Sequence, residues 1–351
     1  MANLKPIVIR WFEQGFITKE ALPAALHTAQ DSAESHASTI QWHALITLLL
    51  TWGGALLVGA GVVFFVAANW QVMGQFSRFA LVEMLLLTSL LGYILVRRRA
   101  VNAGDISGFG YTTANAILLL SAIIIGSLLA LVGQTYQTGA DPWQLFAIWA
   151  LLMLPLALVA GNELLWLLLG LLLNLAVLLY FQAFPGALNW LFGPTALLAW
   201  LFFLNLSLHL ACSLLSGRFV RLPRILKIQQ QRFNAPLFQQ ITMLAAVGTI
   251  TILAIESLFD EGPSIWGFVY TAVIAAGFFV YNHKVKDIFV LAIGGYSLVT
   301  VVNCLFIRVA LEGSDVVAMF LLLGISIIGS TTGVTLWLKQ RHKAFNTGAS
   351  A

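Results

Sequence analysis

The feature that most limits how this chain can fold is an uncharged stretch at residues 45–70, LITLLLTWGGALLVGAGVVFFVAANW. Residues 45–68 carry no charged side chain. A helix of that length rises about 36 Å at ~1.5 Å per residue, enough to cross ~30 Å of hydrocarbon. The stretch ends on Asn69 and Trp70, and such polar and aromatic side chains are typical of the membrane interface. We therefore predict a membrane-spanning helix here.

Similar apolar stretches recur along all 351 residues, of which 60% are hydrophobic and 9% charged. An ordinary soluble domain has about 25% charged residues. The pattern predicts an all-α fold, a polytopic transmembrane helix bundle of about ten spans with both termini cytoplasmic and short amphipathic N-terminal helices. The predicted spans are residues 45–68, 79–96, 111–134, 144–160, 163–181, 190–215, 241–259, 264–282, 288–306 and 316–338. The fourth and fifth are short enough that a re-entrant pair stays open as an alternative.

The distribution of basic residues predicts the orientation of the bundle. With a cytoplasmic N-terminus, 16 of the 18 Lys and Arg residues fall in inner segments, and Arg78 and Arg308 fall outside. Because Lys and Arg resist translocation, this asymmetry favours both termini inside. The basic pI of 9.2 therefore needs no nucleic-acid partner. We expect the partners to be the lipid bilayer, with anionic headgroups at the inner face.

The same reasoning divides the chain into regions. We predict a cytosolic helical N-terminal segment at residues 1–44 and a four-helix membrane region at residues 45–160. Six further helices follow at residues 161–338, with a basic cytosolic loop at 217–236 that is predicted to form a surface helix, and a tail at 339–351. The N-terminal segment lacks the apolar core of a secretory signal. It is expected to form one helix near residues 5–14 and a second capped by Thr18. A DNA-binding helix-turn-helix is the disfavoured alternative.

Neither the cysteines nor any catalytic motif points to chemistry. Cys212 is predicted near the inner end of the sixth span and Cys304 near the outer end of the ninth, too far apart for a disulfide. His209 shares a helix face with Cys212, but two candidate ligands make no zinc site, and a hydrogen-bonded or lumen-facing histidine is favoured. The sequence has no HExxH, GxSxG or P-loop motif. We therefore expect no enzyme activity, no metal and no cofactor.

Ionisable and amide side chains inside the spans are the candidate functional residues, because they are costly in hydrocarbon. The candidate polar or ion site consists of Glu83, Gln134, Glu256 and Arg308. The alternative is that the two acids reach the interface or form ion pairs at its rim.

A second set of candidates is predicted at the outer rim, where outward-going helices end: Asn69, Trp70, Tyr136, Asp141 and Trp143. These side chains could line an outward cavity. The alternative is an aromatic belt with amides that bind free carbonyls at helix ends.

Other polar and small residues predict helix packing. Asn174 and Asn205 fall near mid-membrane and are expected to hydrogen-bond between helices. The pairs Ala55 with Gly59 and Gly329 with Gly333 have the four-residue spacing of a flat helix face, and Ser330, Thr331 and Thr332 can add hydrogen bonds across the second face.

The residues Gly54–Gly61, continuing to Ala67-Ala68-Asn69-Trp70, resemble a family of predicted bacterial membrane proteins called domain of unknown function 2157. Gly133-Gln134-Thr135-Tyr136 with Asp141-Pro142-Trp143 and Trp149 are similar to it as well, as are Trp11 and Gly15-Phe16-Ile17. The resemblance covers about residues 1–160. It implies a bacterial cytoplasmic (inner) membrane protein, and it implies no activity.

Two hypotheses follow. The first is a non-enzymatic multi-pass protein with a scaffold or accessory role in the envelope. The second is a secondary transporter or channel-like protein for a small solute or ion. Broken helices at mid-membrane would favour transport, whereas acids confined to the rim would favour the scaffold. A homo-oligomer or a membrane-protein partner stays open.

Overall fold

The computed structural model describes residues 21–104, 109–217, 233, 235–260, 264–312 and 316–347, and these form helices and turns without a strand. The structure confirms the predicted all-α membrane fold. The longer helices are α1 (Leu22–Ala68), α2 (Gln75–Asn102), α3 (Phe109–Tyr136), α4 (Pro142–Ala160), α5 (Glu163–Ala183), α6 (Ala196–Leu215), α7 (Pro236–Phe259), α8 (Trp266–Phe279), α9 (Ile288–Glu312) and α10 (Val316–Thr347). Short turns at Asn189–Phe192 and Gly193–Thr195 lead into α6.

Helix α1 differs from the sequence prediction in its length. It runs for 47 residues without a break, so the predicted second cytosolic helix and the first span are one helix. The reason is local, because Pro23 stands at the helix start and no Gly or Pro follows before Gly53. The predicted helix at residues 5–14, the Thr18 cap and most of the basic loop at 217–236 lie outside the described residues.

Nine helices in the described part of the chain are long and apolar enough to cross a membrane. They include α4 and α5, with 19 and 21 residues. Both helices are therefore long enough to cross the membrane, and their lengths give no support to a re-entrant pair. The short helix is instead α8, with 14 residues, which the π-helical turn Val280–Lys284 continues. Helix and turn together rise about 28 Å at ~1.5 Å per residue, which would make the tenth span. The cytoplasmic placement of both termini stays a prediction.

The chain divides into two compact units, Met1–Ile124 and Ile125–Ala351, with the boundary inside α3. The predicted regional boundaries, with a division after residue 160, stay a prediction. Helix α7 organises the second unit, where it packs most extensively on α6 and also contacts α5, α8 and α9. The buried residues of α7 recur every three to four positions, as expected for one helix face. They join a core that contains Phe202, Ile250, Leu253 and Trp266.

In the first unit, close packing occurs at Gly59 of α1. A Cβ placed there would lie 2.9 Å from Cγ2 of Ile123 on α3. The predicted small-residue face at Gly59 is therefore a helix contact. Gly329 and Gly333 of α10 differ, because a Cβ at either position would meet no atom within 4 Å.

Candidate functional site

The four residues of the predicted polar or ion site lie in different parts of the chain. Glu83 is on α2 in the first unit, whereas Gln134, Glu256 and Arg308 belong to the second. The side chains of Glu83, Gln134 and Glu256 are exposed. Arg308 is half-buried and donates from Nη1 to the carbonyl of Leu258, in the last turn of α7. Arg308 thus binds the end of the helix that carries Glu256, and a shared site of all four residues stays a prediction.

The predicted rim residues Asn69 and Trp70 close the turn between α1 and α2. Asn69 caps α1, since its Nδ2 donates to the carbonyl of Phe65 at 2.8 Å. The guanidinium of Arg78 lies 3.7 Å from the ring centroid of Trp70 and donates from Nη2 to the Trp70 carbonyl. A cation over an indole face is attracted by the ring quadrupole. This arrangement fits the second interpretation of the rim residues, in which amides bind free carbonyls at helix ends and aromatic rings lie at the membrane interface.

The other three rim residues lie at the end of α3, in the connection to α4 and in the first turn of α4. Tyr136 is exposed, and Asp141 precedes α4 without a side-chain capping hydrogen bond. The ring of Trp143 packs edge-on against Tyr180, with centroids 5.2 Å apart. Its buried indole nitrogen has no hydrogen-bond partner among the described residues. Trp143 and Tyr180 line an apolar cavity of about 360 Å³ between α4, α5 and α6.

A buried polar cluster of the second unit is centred on His209 of α6, which is 1% exposed. Its Nδ1 lies 2.7 Å from the carbonyl oxygen of Gln239 on α7, and its Nε2 lies 2.6 Å from the hydroxyl of Tyr281. Ser213, one turn further along α6, places its hydroxyl 3.4 Å from Nε2. The prediction of a hydrogen-bonded histidine is confirmed. Cys212 is buried nearby on α6, and both Cys212 and Cys304 are free thiols.

The partners of His209 determine how its protons are placed. A backbone carbonyl can only accept, so Nδ1 must carry the hydrogen that is donated to Gln239. In a neutral imidazole Nε2 is then an acceptor, and the Tyr281 hydroxyl donates to it. A charged imidazole would donate from both nitrogens, and the Tyr281 oxygen would then accept. The His209–Tyr281 hydrogen bond can therefore form with the imidazole either neutral or charged, and its direction reverses between the two states.

Tyr281 reaches His209 from the π-helical turn Val280–Lys284. Such turns are rare, and they occur frequently at functional sites.

Other contacts near the His209 cluster stabilise the starts of α5 and α7. The side-chain nitrogen of Gln239 donates to the carbonyl of Phe233 at 3.3 Å. The carboxylate of Glu163, at the start of α5, accepts from the backbone N–H of Leu237, at the start of α7.

Other buried polar residues of the second unit also bind one another. Asn174 and Asn205 form a reciprocal amide pair, with N···O distances of 3.1 and 2.6 Å, which confirms their predicted interhelical bond. The hydroxyl of Ser297 on α9 lies 2.6 Å from that of Thr251 and 2.9 Å from that of Tyr270.

Hydrogen bonds also join α9 to α10. Asn303 donates to Ser330 at 3.3 Å. The expectation for Ser330 is thus confirmed, whereas Thr331 donates to carbonyls of its own helix.

Sequence reasoning did not connect His209 with Tyr281 and Gln239. A signal was present, because Tyr281-Asn282-His283 ends one apolar stretch and Gln239-Gln240 begins another. Polar residues at span ends are common at the interface, however, and nothing in their spacing says which of them face a neighbouring helix.

With these helices and contacts in place, the chain can be compared with known proteins. Residues 9–166 match the family of predicted membrane proteins named DUF2157. The resemblance seen in the N-terminal motifs is thereby confirmed over that segment, which runs from the start of the chain to the first turn of α5. The His209 cluster lies beyond it. No curated protein and no solved structure matches the chain.

Proposed function

We propose that this membrane protein is a non-enzymatic component of the bacterial inner membrane, with a scaffold or accessory role in the envelope. The observation that carries the proposal is the way in which polar groups are paired in the second unit. His209, the Asn174–Asn205 pair and the hydroxyl of Ser297 each bind other protein groups. Such contacts fix helices to one another, because lipid offers no alternative hydrogen-bond partner.

The cavities of the second unit support the same proposal. Two cavities between the described membrane helices have volumes of about 230 and 360 Å³, and their walls are apolar. A path for an ion or a polar solute needs carbonyls or polar side chains that replace water. The helix α4 also continues unbroken through Pro155, the proline inside it. The exposed positions of Glu83 and Glu256 fit acids at a rim.

Helix α1 supplies the element that such a protein would present to a partner. Its membrane span is Leu45–Ala68, yet the helix begins at Leu22. The remainder extends about 34 Å beyond the span at ~1.5 Å per residue. We propose that this extension lies in the cytoplasm and docks on a membrane-associated partner.

Flux measurements test the scaffold against a transporter. The purified full chain would be placed in liposomes that carry a pH-sensitive dye inside and, separately, a potential-sensitive dye. We expect the same leak as in protein-free vesicles, and no change in Glu83→Gln or Glu256→Gln. A gradient-driven flux that either substitution lowers would overturn the proposal in favour of transport.

Photo-crosslinking in cells tests the docking role of α1. A photoreactive residue would replace Trp42, which is 64% exposed in the extension, or Leu57, which is 75% exposed within the membrane span. Discrete protein adducts are expected from position 42 only. Identical adduct patterns from both positions would argue against a specific role for the extension.

A second candidate is a proton-coupled transporter, which the His209–Tyr281 contact on a π-helical turn favours. This function requires the hydroxyl of Tyr281 to exchange a proton with Nε2 of His209. Tyr281→Phe would then abolish a pH-dependent flux in the same liposomes. A scaffold with Tyr281→Phe would lose only thermal stability.

A further inference from the structure

The cavity of about 230 Å³ lies between α7, α8, α9 and α10 and is not explained by a scaffold role. Its walls include Gly277, Phe278, Gly294, Val334 and Trp337. The rings of Phe278 and Trp337 stack with centroids 5.6 Å apart. A Cβ at Gly277 or Gly294 would meet no atom within 4 Å, so the missing side chains leave open space. The cavity has the apolar lining that a hydrocarbon chain requires.

A basic pocket of about 500 Å³ is formed where α8 turns into α9. Lys284, Lys286, Asp287 and His342 contribute its polar walls. The two spaces lie close together along α9, because Val290 lines the cavity, Ile288 lines the pocket, and both residues pack in one apolar cluster.

The charges around this pocket are mainly positive. Lys284 and Lys286 are exposed, and the guanidinium of Arg341 lies 5.8 Å from the ring of Trp337, which also lines the cavity. The acidic residue, Asp287, uses one carboxylate oxygen to accept the backbone N–H of Phe289 at 3.0 Å. The pocket thus suits an anion close to the membrane surface.

The backbone at Lys286 adds to this picture. Its φ of 56° lies in the left-handed region, where a residue with a side chain is strained. Local strain of this kind clusters at ligand sites, where neighbouring structure holds it in place. Lys286 lies in the short connection between the π-helical turn and the first turn of α9.

We propose that the two spaces together bind one anionic phospholipid from the leaflet on this side of the membrane. Part of an acyl chain occupies the cavity, and the phosphate lies beside Lys284 and Lys286. Basic pockets between transmembrane helices are the usual sites for anionic lipid headgroups. The predicted orientation makes this leaflet the cytoplasmic one. The site is independent of whether the protein scaffolds or transports.

Lipid retention measured by native mass spectrometry tests the proposal. The full chain, delipidated in a mild detergent, would be titrated with phosphatidylglycerol, phosphatidylethanolamine or glycerol phosphate. We expect one phosphatidylglycerol to be retained about tenfold more strongly than phosphatidylethanolamine, and glycerol phosphate to be lost. Equal retention of the two lipids, or retention of glycerol phosphate, would overturn the proposal.

Two variants separate the cavity from the pocket. Gly294→Leu places a side chain in the cavity, because a Cβ at this position meets no atom within 4 Å. Lys284→Gln with Lys286→Gln removes two charges from the pocket. Each should weaken phosphatidylglycerol retention about tenfold. The matched controls are Gly248→Leu, where a Cβ also meets open space, and Arg98→Gln with Arg99→Gln at the end of α2.

The controls should retain the lipid as the unmodified chain does. Circular dichroism and the melting temperature without lipid would show that every variant is folded. Unchanged lipid retention in Gly294→Leu would refute the role of the cavity, and unchanged retention in the double lysine variant would refute the role of the pocket. A control variant that loses the lipid as strongly as its site variant would refute the same role.

Discussion

Helices α2 and α7 are both long enough to cross a membrane, yet they differ in how much surface they bury. In the first unit, α2 buries Val82, Ser89 and Ala100 among its 28 residues. In the second unit, α7 buries ten of its 24 residues. Lipid tails are as apolar as leucine side chains, so hydrophobicity alone does not draw one membrane helix to another. Another kind of contact must account for the difference.

Small residues and polar pairs provide that contact around α7. Phe238 of α7 packs over Gly170, His209 binds the carbonyl of Gln239, and Thr251 shares a hydrogen bond with Ser297. In the first unit, the corresponding contacts include the hydroxyl pair Ser89–Ser121 between α2 and α3. The comparison teaches that apolar length places a helix in the membrane, whereas polar and small residues determine its neighbours. Four substitutions test this interpretation.

The largest effect is expected for Gly170→Leu. A Cβ at this position would lie 2.7 Å from Cε2 of the buried Phe238, so the larger side chain would displace that ring. Overpacking of this kind costs about 1–3 kcal/mol, and the melting temperature in a mild detergent should fall by several degrees.

The control for Gly170→Leu is Gly61→Leu in α1, where a Cβ would meet no atom within 4 Å. Leucine is also a better helix former than glycine, so this variant should be at least as stable as the unmodified chain. An equal loss of stability in both variants would break the comparison between the units.

Next in size is the effect of Asn205→Leu, which leaves the amide of Asn174 without its reciprocal partner. We expect a loss of about 1–2 kcal/mol in unfolding free energy, the range found for interhelical hydrogen bonds in model peptides. The variant Asn174→Leu and the double variant complete a thermodynamic cycle. The double variant should lose less than the sum of the single ones, and strict additivity would show that the pair is not coupled.

A smaller loss, about 0.5–1.5 kcal/mol, is expected for Tyr281→Phe, which removes the hydroxyl bound to Nε2 of His209. Tyr296→Phe is the matched control, because its hydroxyl contacts Thr335 at 3.0 Å in an exposed position. Thermal unfolding of both variants would be measured in the same lipid nanodiscs. A larger loss for Tyr296→Phe would contradict the central place of the His209 cluster.

The smallest effect is expected for Ser89→Ala in the first unit. Its hydroxyl lies 2.8 Å from that of Ser121, and it also donates to the carbonyl of Leu86 in its own helix. We expect a loss near the average of about 0.6 kcal/mol measured for hydrogen bonds between membrane helices. A melting temperature lowered as far as in Asn205→Leu would show that the first unit depends equally on polar pairs.

The amino-acid sequence alone was sufficient to predict an all-helical membrane protein. Every backbone N–H and C=O must find a partner inside lipid, so long apolar stretches can only be helices. It also predicted that Asn174 and Asn205 form hydrogen bonds between helices, and the structure shows that they bind each other. The resemblance of the first part of the chain to a known family was equally visible in its motifs.

The three-dimensional structure was needed to show which helices pair and which side chains join them. Tyr281 lies 72 residues from His209, and their contact depends on a π-helical turn that no hydropathy pattern contains. The shortness of α8, which ends in this π-helical turn, is likewise not evident from the hydropathy pattern. The physical reason is that helix rotation and register depend on contacts worth about 1 kcal/mol each, far less than the cost of exposing backbone to lipid.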